Sequence, residues 1–282
     1  MMKPVMITAD STVDLSPELL ERYDIRILPL MITLGDESFF DGHTFTVGDM
    51  YARYRLDGTL PKTSARSVQD FSDFFRTFTE QGFAIVHFDI SSELSNSYNA
   101  ARMAASELED VYVVDSRMLS TGIGLLAIDA AECREKGMDA RSIVERMETL
   151  KEKVSTSFVL DTLTFMWKGG RCTGVTAFGA NLMRIKPSLE MHDGKLEVGR
   201  KYHGAMRAVY RKYIADRLEG KKVRPGHVFL TESGEIEPET IAELEELIRE
   251  KTGCKEIHHT IAGATISSHC GPGTLGVLFI EE

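Results

Sequence analysis

Residues 84–115 read AIVHFDISSELSNSYNAARMAASELEDVYVVD, and this stretch decides the fold class. Ala84 to Ile90 is a short, mostly apolar run of the length and texture of a buried strand. Ser97 to Leu108 is rich in alanine, with arginine, methionine and leucine, residues that lose little freedom in a helix. Val111 to Asp115 is again short, apolar and β-branched. Alternating strands and helices of this kind predict an α/β domain with a largely parallel sheet.

Working outward, Val5 to Thr8 reads as another buried strand. Ser16-Pro17-Glu18 supplies an N-cap, a proline at the first helical position and an acid in the first turn. Ile25 to Leu34 reads as one strand, followed by a polar, glycine-containing stretch from Gly35 to Gly58. A helix near Val68 to Gln81 precedes the deciding segment, and helices at Thr121 to Lys136 and Asp139 to Lys153 follow it. From about Ser155 the texture changes. Val159 leads into a helix-like segment ending at Trp167, Gly169-Gly170 breaks it, a second apolar helix is expected around Gly179 to Met183, and Asp193-Gly194 marks a hairpin. Helices near Met206 to Leu218 and Pro238 to Thr252 then alternate with strands at His227 to Thr231, Ile257 to Ile261 and Leu275 to Ile280. A domain boundary is expected near residue 155.

The 282 residues are 43% hydrophobic and 27% charged, ordinary for a globular chain, and no run of ~20 apolar residues could span a membrane. The formal net charge of -10 leaves no broad basic face for a phosphate backbone, so nucleic acid is not an expected partner. Cys133, Cys172, Cys254 and Cys270 are scattered without C-x-x-C spacing, and Met1 to Asp10 lacks the apolar core of a secretion signal. Free thiols in a reducing cytoplasm are expected.

Several familiar motifs fail. Gly271 to Gly276 matches G-x-G-x-x-G, but only six residues follow, too few for the rest of a βαβ unit. There is no P-loop for ATP and no G-x-S-x-G nucleophile elbow. The histidines and acids lack zinc-site spacing, and His258-His259 in a strand should face opposite ways. No cofactor and no metal are expected.

Small polar residues remain, just past strand ends: Asp10 and Ser11, Ser92 and Ser95, and Ser116. In open α/β sheets ligands sit in the crevice outside the carboxyl ends of the strands. Ser95, at a helix start, reads either as an N-cap or as part of an anion site. Thr63-Ser64, in a loop before a helix, reads as a cap or as a ligand for a carboxylate or phosphate. His269, between Ser267-Ser268 and the Gly271-Pro272-Gly273 turn, reads as a residue projecting from a bend, either an anion partner or proton carrier or a merely exposed or hydrogen-bonded histidine.

Taken in order, these segments resemble the DegV family of bacterial fatty-acid-binding proteins. Asp10 to Leu15 is similar to its D-S-x-x-D-L, Pro61 to Ser64 to its P-x-T-S, and Ser91 to Ser95 to its S-S-x-L-S. Val114-Asp115-Ser116, Gly169-Gly170-Arg171, Ile185-Lys186-Pro187 with Asp193-Gly194, and His269 to Gly273 are similar to further family patterns, so the resemblance covers nearly the whole chain. It implies a DegV-like two-domain fold: a three-layer α/β domain with a largely parallel sheet over residues 1–155, and an α/β sandwich over residues 156–282. It also implies one buried long-chain fatty acid, and as partner a separate ATP-dependent fatty acid kinase subunit that forms the acyl phosphate. By motif, Thr63, Ser95 and His269 would hold the carboxylate, with Ser64 and Asn96 as neighbours and Arg171 presenting the head group or docking the kinase. The sequence departs from the family pattern at Ala65-Arg66, Asn96-Ser97 and His203, which bear on head-group detail and docking.

The physics suits a carrier. At ~0.8 kcal/mol per buried CH₂, a chain of about 14 to 18 carbons offers roughly 10 to 14 kcal/mol before ordering costs. The tail binds, and the polar residues orient the head. Phe158, Phe165, Met166, Phe178, Leu182 and Met183 are candidates for the tunnel wall, with ordinary core where helices pack the commoner reading for such residues. Two rival readings are a hydrolase or acyltransferase with Ser95 as nucleophile, His269 as base and Asp10 or Asp115 as orienter, and a lipid-responsive regulatory protein. The expected chain is cytoplasmic and not membrane-spanning, with transient contact at a membrane surface allowed.

Overall fold

The computed structural model describes residues 3–170 and 185–282. The chain opens with β1 (Val5–Asp10), a 3-10 turn at Ser11–Val13, α1 (Pro17–Arg22) and β2 (Ile25–Leu28). Ser16 caps α1 by accepting from the Leu19 N–H, with Pro17 at the first helical position. With β6 (Ala84–Asp89) and β7 (Val111–Asp115) these strands form an all-parallel sheet in the order β2-β1-β6-β7. β1 and β6 are buried at every position, which is why they read as nearly unbroken apolar runs. Alternate residues point to opposite faces. Ile85 joins Phe71, Phe75, Ala100 and Ala104 of α3 (Val68–Thr79) and α4 (Ser97–Ala105), whereas Val86 and Phe88 join α5 (Thr121–Glu135) and α6 (Ala140–Leu150).

Ile25 to Leu34 is not one strand. It breaks at Pro29, which has no N–H for a central ladder, and β3 (Met31–Leu34) leaves to centre an antiparallel sheet with β4 (Glu37–Phe40) and β5 (Lys62–Ser64), in the order β4-β3-β5. The stretch read as a polar connection also holds α2 (Val47–Asp57), started by a capping box between Thr46 and Asp49 and anchored by buried Met50 and Tyr51.

A 3-10 turn at Lys151–Lys153 leads to β8 (Val154–Val159), then α7 (Thr164–Lys168), β9 (Lys186–His192), β10 (Lys195–Tyr202), α8 (Met206–Leu218), β11 (Val223–Glu232), α9 (Pro238–Thr252), β12 (Glu256–Ile261), α10 (Ala264–Cys270) and β13 (Leu275–Glu281). The strands make a mixed sheet in the order β10-β9-β8-β13-β11-β12. Asp193 and Gly194 turn the β9–β10 hairpin with φ of 47° and 77°, the left-handed pair that a two-residue turn demands. α8 and α9 cover one face through Val209, Ile214, Leu244 and Ile248. α5 lies under the other, buried along most of its length because it sits between the two large sheets. One apolar core therefore runs from β1 through α5 to β13.

Cys133, Cys254 and Cys270 are free thiols. Among the described residues no helix is long and apolar enough to cross a membrane. The apolar helix expected around Gly179 to Met183 lies outside the described residues, as does Cys172.

Candidate functional site

β1 connects outward to β2 and β6 outward to β7, so the chain parts at their carboxyl ends and leaves a crevice there. It opens into a cavity of about 70 Å³. The polar lining is Thr12, Thr63, Ser64, Ser95, Thr265 and His269; the rest includes Leu30, Ile90, Leu94, Leu119, Phe158, Met166, Leu196 and Ile266. A second space of about 20 Å³ shares Leu119, Phe158, Ile266 and Cys270 with the first and extends toward Thr231, Glu232 and Leu278.

Each polar residue is placed by a different device. Thr63 and Ser64 lie not in a loop but on β5, an edge strand held to β3 by the pairs Ile32↔Thr63 and Met31↔Ser64. The cap of α3 is Ser67, in a capping box with Asp70. Ser91 and Ser92 pin the loop after β6. Ser91 Oγ donates to the Gly194 carbonyl at 2.7 Å, and Ser92 Oγ donates to Asp115 at 2.6 Å. The first of these bonds ties the β9–β10 hairpin to the crevice and brings Leu196 into its wall. Ser95 then closes a turn, its N–H donating to the Ser91 carbonyl and its Oγ accepting from the Ser97 N–H at 3.2 Å. It thus serves a helix start and faces the cavity at once. Asn96 stands at the cap position of α4 without capping it; it is exposed, accepts from Asn99 and lies outside the cavity lining.

His269 sits on the last turn of α10, not on a bend. This helix is short and poor in helix formers, and two buried acids from elsewhere start it. Asp14 accepts from the Gly263 N–H at 2.8 Å and from Ser120 Oγ, while Asp41 accepts from the Ala264 N–H at 2.9 Å and from Ser11 Oγ. Carboxylates suit a helix N-terminus. Burial nevertheless holds both carboxyl groups above the usual range, Asp14 well above it, against the lowering effect of these donors. At the other end of the helix His269 Nε2 lies 3.0 Å from Thr63 Oγ1, and Gly169 leaves room for the imidazole, since any Cβ there would collide with Nδ1.

Asp10, at the end of β1, is fully buried and accepts from Thr12 and the Ile90 N–H. Burial first, and the nearby Asp89 second, push its carboxyl up to about 7. The folded chain therefore keeps a proton that the unfolded chain, with an ordinary value near ~3.9, gives up. Asp10's contribution favours folding at acid pH and declines as pH rises from about 4 to about 7. Carboxyl-carbon NMR should show a resonance titrating near 7; a full set of midpoints around 4 would contradict it.

A family model described as "Uncharacterised protein, DegV family" matches residues 4–282. The chain belongs to the DegV family. A fatty acid-binding protein of Thermotoga maritima is 32% identical over 282 residues, covering 96% of each chain. Among solved structures, a DegV family protein of Thermus thermophilus described by its fatty acid binding superposes with a TM-score of 0.89 at 28% identity over the whole of both chains. A stearic acid-binding protein of Eubacterium ventriosum superposes with a TM-score of 0.83 at 27% identity, covering 100% of this chain and 98% of that one. The mixed α/β architecture is thus that of DegV structures.

The positions that depart from the DegV pattern fall in different places. Ala65 lines the cavity, and Arg66 donates to Asp70 at 3.0 Å with its guanidinium over the Phe40 ring. Ser97 is buried, and His203 is exposed between β10 and α8. Arg171 lies outside the described residues, as do Phe178, Leu182 and Met183. Phe158 and Met166 line the cavity, whereas Phe165 packs against Tyr51 and Tyr54. Apart from Thr12 and Thr265, the wall residues without a signal in the sequence are scattered apolar positions such as Leu30, Ile90, Leu119 and Leu196. Nothing in the sequence separates these from other core leucines and isoleucines.

Proposed function

We propose that this chain binds one long-chain fatty acid in the cavity and presents its carboxylate to a separate ATP-dependent kinase subunit. The carrying observation is that Thr63 and His269, 206 residues apart, are hydrogen-bonded to each other in the wall of a mainly apolar cavity that Ser95 also lines. A carboxylate is acceptor-only; the Thr63–His269 bond uses one proton of that pair, so Ser95 Oγ and, when His269 Nε2–H donates to Thr63, Thr63 Oγ1 supply donors. The fatty-acid-binding relatives support the ligand class. The hydrolase reading gains nothing from the acids, since Asp10 is held by Thr12 and Ile90, and Asp115 by Ser92 and Arg117.

In this reading Ser64 is a neighbour of the head, Asn96 stands outside the lining beside Ser95, and Arg171 presents the head or docks the kinase. The chain works in the cytoplasm, and residues 1–155 and 156–282 act as two domains around the ligand. The test is organic extraction of the purified protein with mass spectrometry, expected to recover a stoichiometric fatty acid. Folded protein that carries none and binds none when supplied refutes the reading. Thr63→Val and Ser95→Ala should each weaken binding by ~1.5 to 3 kcal/mol in a fluorescence displacement assay, one hydrogen bond to a charged group apiece. Arg171→Ala should keep lipid affinity and lose acyl-phosphate formation with the kinase subunit. Equal loss in both assays would move Arg171 into the lipid site.

A further inference from the structure

The edge of the six-stranded sheet farthest from the β9–β10 hairpin gathers His227, Glu256 and His258. Glu256 and His258 are two residues apart on β12 and share a face, and the parallel register sets His227 of β11 opposite Glu256. His259 turns to the other face, where its Nε2 lies 3.2 Å from Glu232 Oε1. On the shared face His227 Nδ1 is 2.8 Å from His258 Nε2 and 3.3 Å from Glu256 Oε2, and that oxygen is 3.8 Å from His258 Nε2. Three atoms that can offer lone pairs converge on one point, each within 4.8 Å of the others.

We propose that His227 Nδ1, His258 Nε2 and Glu256 Oε2 bind a divalent transition-metal ion, zinc being the best match to this ligand set, with water as the fourth ligand. Tetrahedral bonds of ~2.0 to 2.1 Å put neighbouring donor atoms about 3.3 Å apart, and the three separations bracket that value. The outer face of the His227 ring is already arranged for the role. Its Nε2 lies 3.3 Å from Glu132 Oε1 on α5, so an Nε2–H donated to that carboxylate fixes the tautomer that offers Nδ1 to a metal. Tyr23 Oη approaches the same nitrogen at 3.3 Å, and the Phe229 ring backs His258. The approach stays open on the Glu256 side, where that side chain is 47% exposed against 9% for His227. Arg22 lies 3.8 Å from Glu256 Oε2, and its side chain is exposed enough to swing aside. Spacing along the chain hides the site because strand pairing, not a local motif, assembles it.

The test uses the full chain, stripped of metal with a chelator and titrated with zinc chloride against a chromophoric competitor. One zinc ion per chain is expected, with a rise in melting temperature on addition. Glu256→Gln and His258→Gln should each weaken zinc binding by about 100-fold or more and abolish the thermal shift, and Glu132→Gln by about 10- to 100-fold. His259→Gln, on the opposite face, should bind zinc as the wild type does. Glu256 is the most exposed of the three ligands, so its variant keeps the test usable if a histidine variant fails to fold. Absence of stoichiometric zinc uptake by the wild type would overturn the proposal, and so would undiminished affinity in Glu256→Gln and His258→Gln.

Discussion

Replacing Gly271 by alanine should lower the free energy of unfolding by roughly 3 to 5 kcal/mol, read by chemical denaturation. Gly271 ends α10 at φ 79° and ψ 170°, a region that residues with a Cβ hardly enter. The strain alone is worth about 1 to 3 kcal/mol. A Cβ would also stand 2.6 Å from Phe165 Cδ2, on a ring already packed against Tyr51 and Tyr54, which adds overpacking of similar size. The Gly271 carbonyl accepts from Ser233 Oγ, so the turn cannot shift without breaking that bond. Gly273→Ala is the internal comparison. Its φ is 68°, but its Cβ would meet only Asp161 Cβ at 3.3 Å and Tyr210 Oη at 3.4 Å, so its loss should be smaller, about 1 to 2 kcal/mol. A Gly271→Ala loss no larger than that of Gly273→Ala would mean that Phe165 yields and the turn can shift.

That turn marks where the sequence is legible and where it is not. The parallel strands at 5–10, 84–89 and 111–115 can be read because burial on both faces writes them as short apolar blocks. Pro29 carried the signal that Ile25 to Leu34 changes sheets, but β-branched neighbours on both sides masked it. α10 was invisible for a different reason. Its residues favour bends, and what makes them helical is capping by Asp14 and Asp41, 249 and 223 residues away in sequence. The serine motif after β6 likewise divides its labour in a way only coordinates reveal: Ser91 and Ser92 hold the loop, and Ser95 faces the cavity. Thr63, Ser64, Ser95 and His269 are legible as motifs, whereas Thr265 and the apolar wall are not, because a leucine beside a cavity has the same composition as a leucine in a filled core.

Leu119→Trp should separate those two cases, weakening fatty-acid binding by about 100-fold or more while changing the stability of the lipid-free protein by less than ~1 kcal/mol. Leu119 is buried at the wall that the two spaces share, just before Ser120, whose φ of 52° opens α5. An indole there fills space that the proposed acyl chain would occupy. Each methylene kept out forfeits ~0.8 kcal/mol, so excluding four removes about 3 kcal/mol, or more than 100-fold in affinity. In a core already filled, the same substitution would instead force neighbours off their rotamers and destabilise the fold by about 1 to 3 kcal/mol. Both quantities are measured on one preparation, affinity by fluorescence displacement and stability by urea unfolding after delipidation. Lost affinity with retained stability assigns the space to the ligand. Lost stability with retained affinity would place the acyl chain elsewhere and return Phe158, Ile266 and Cys270 to the ordinary core.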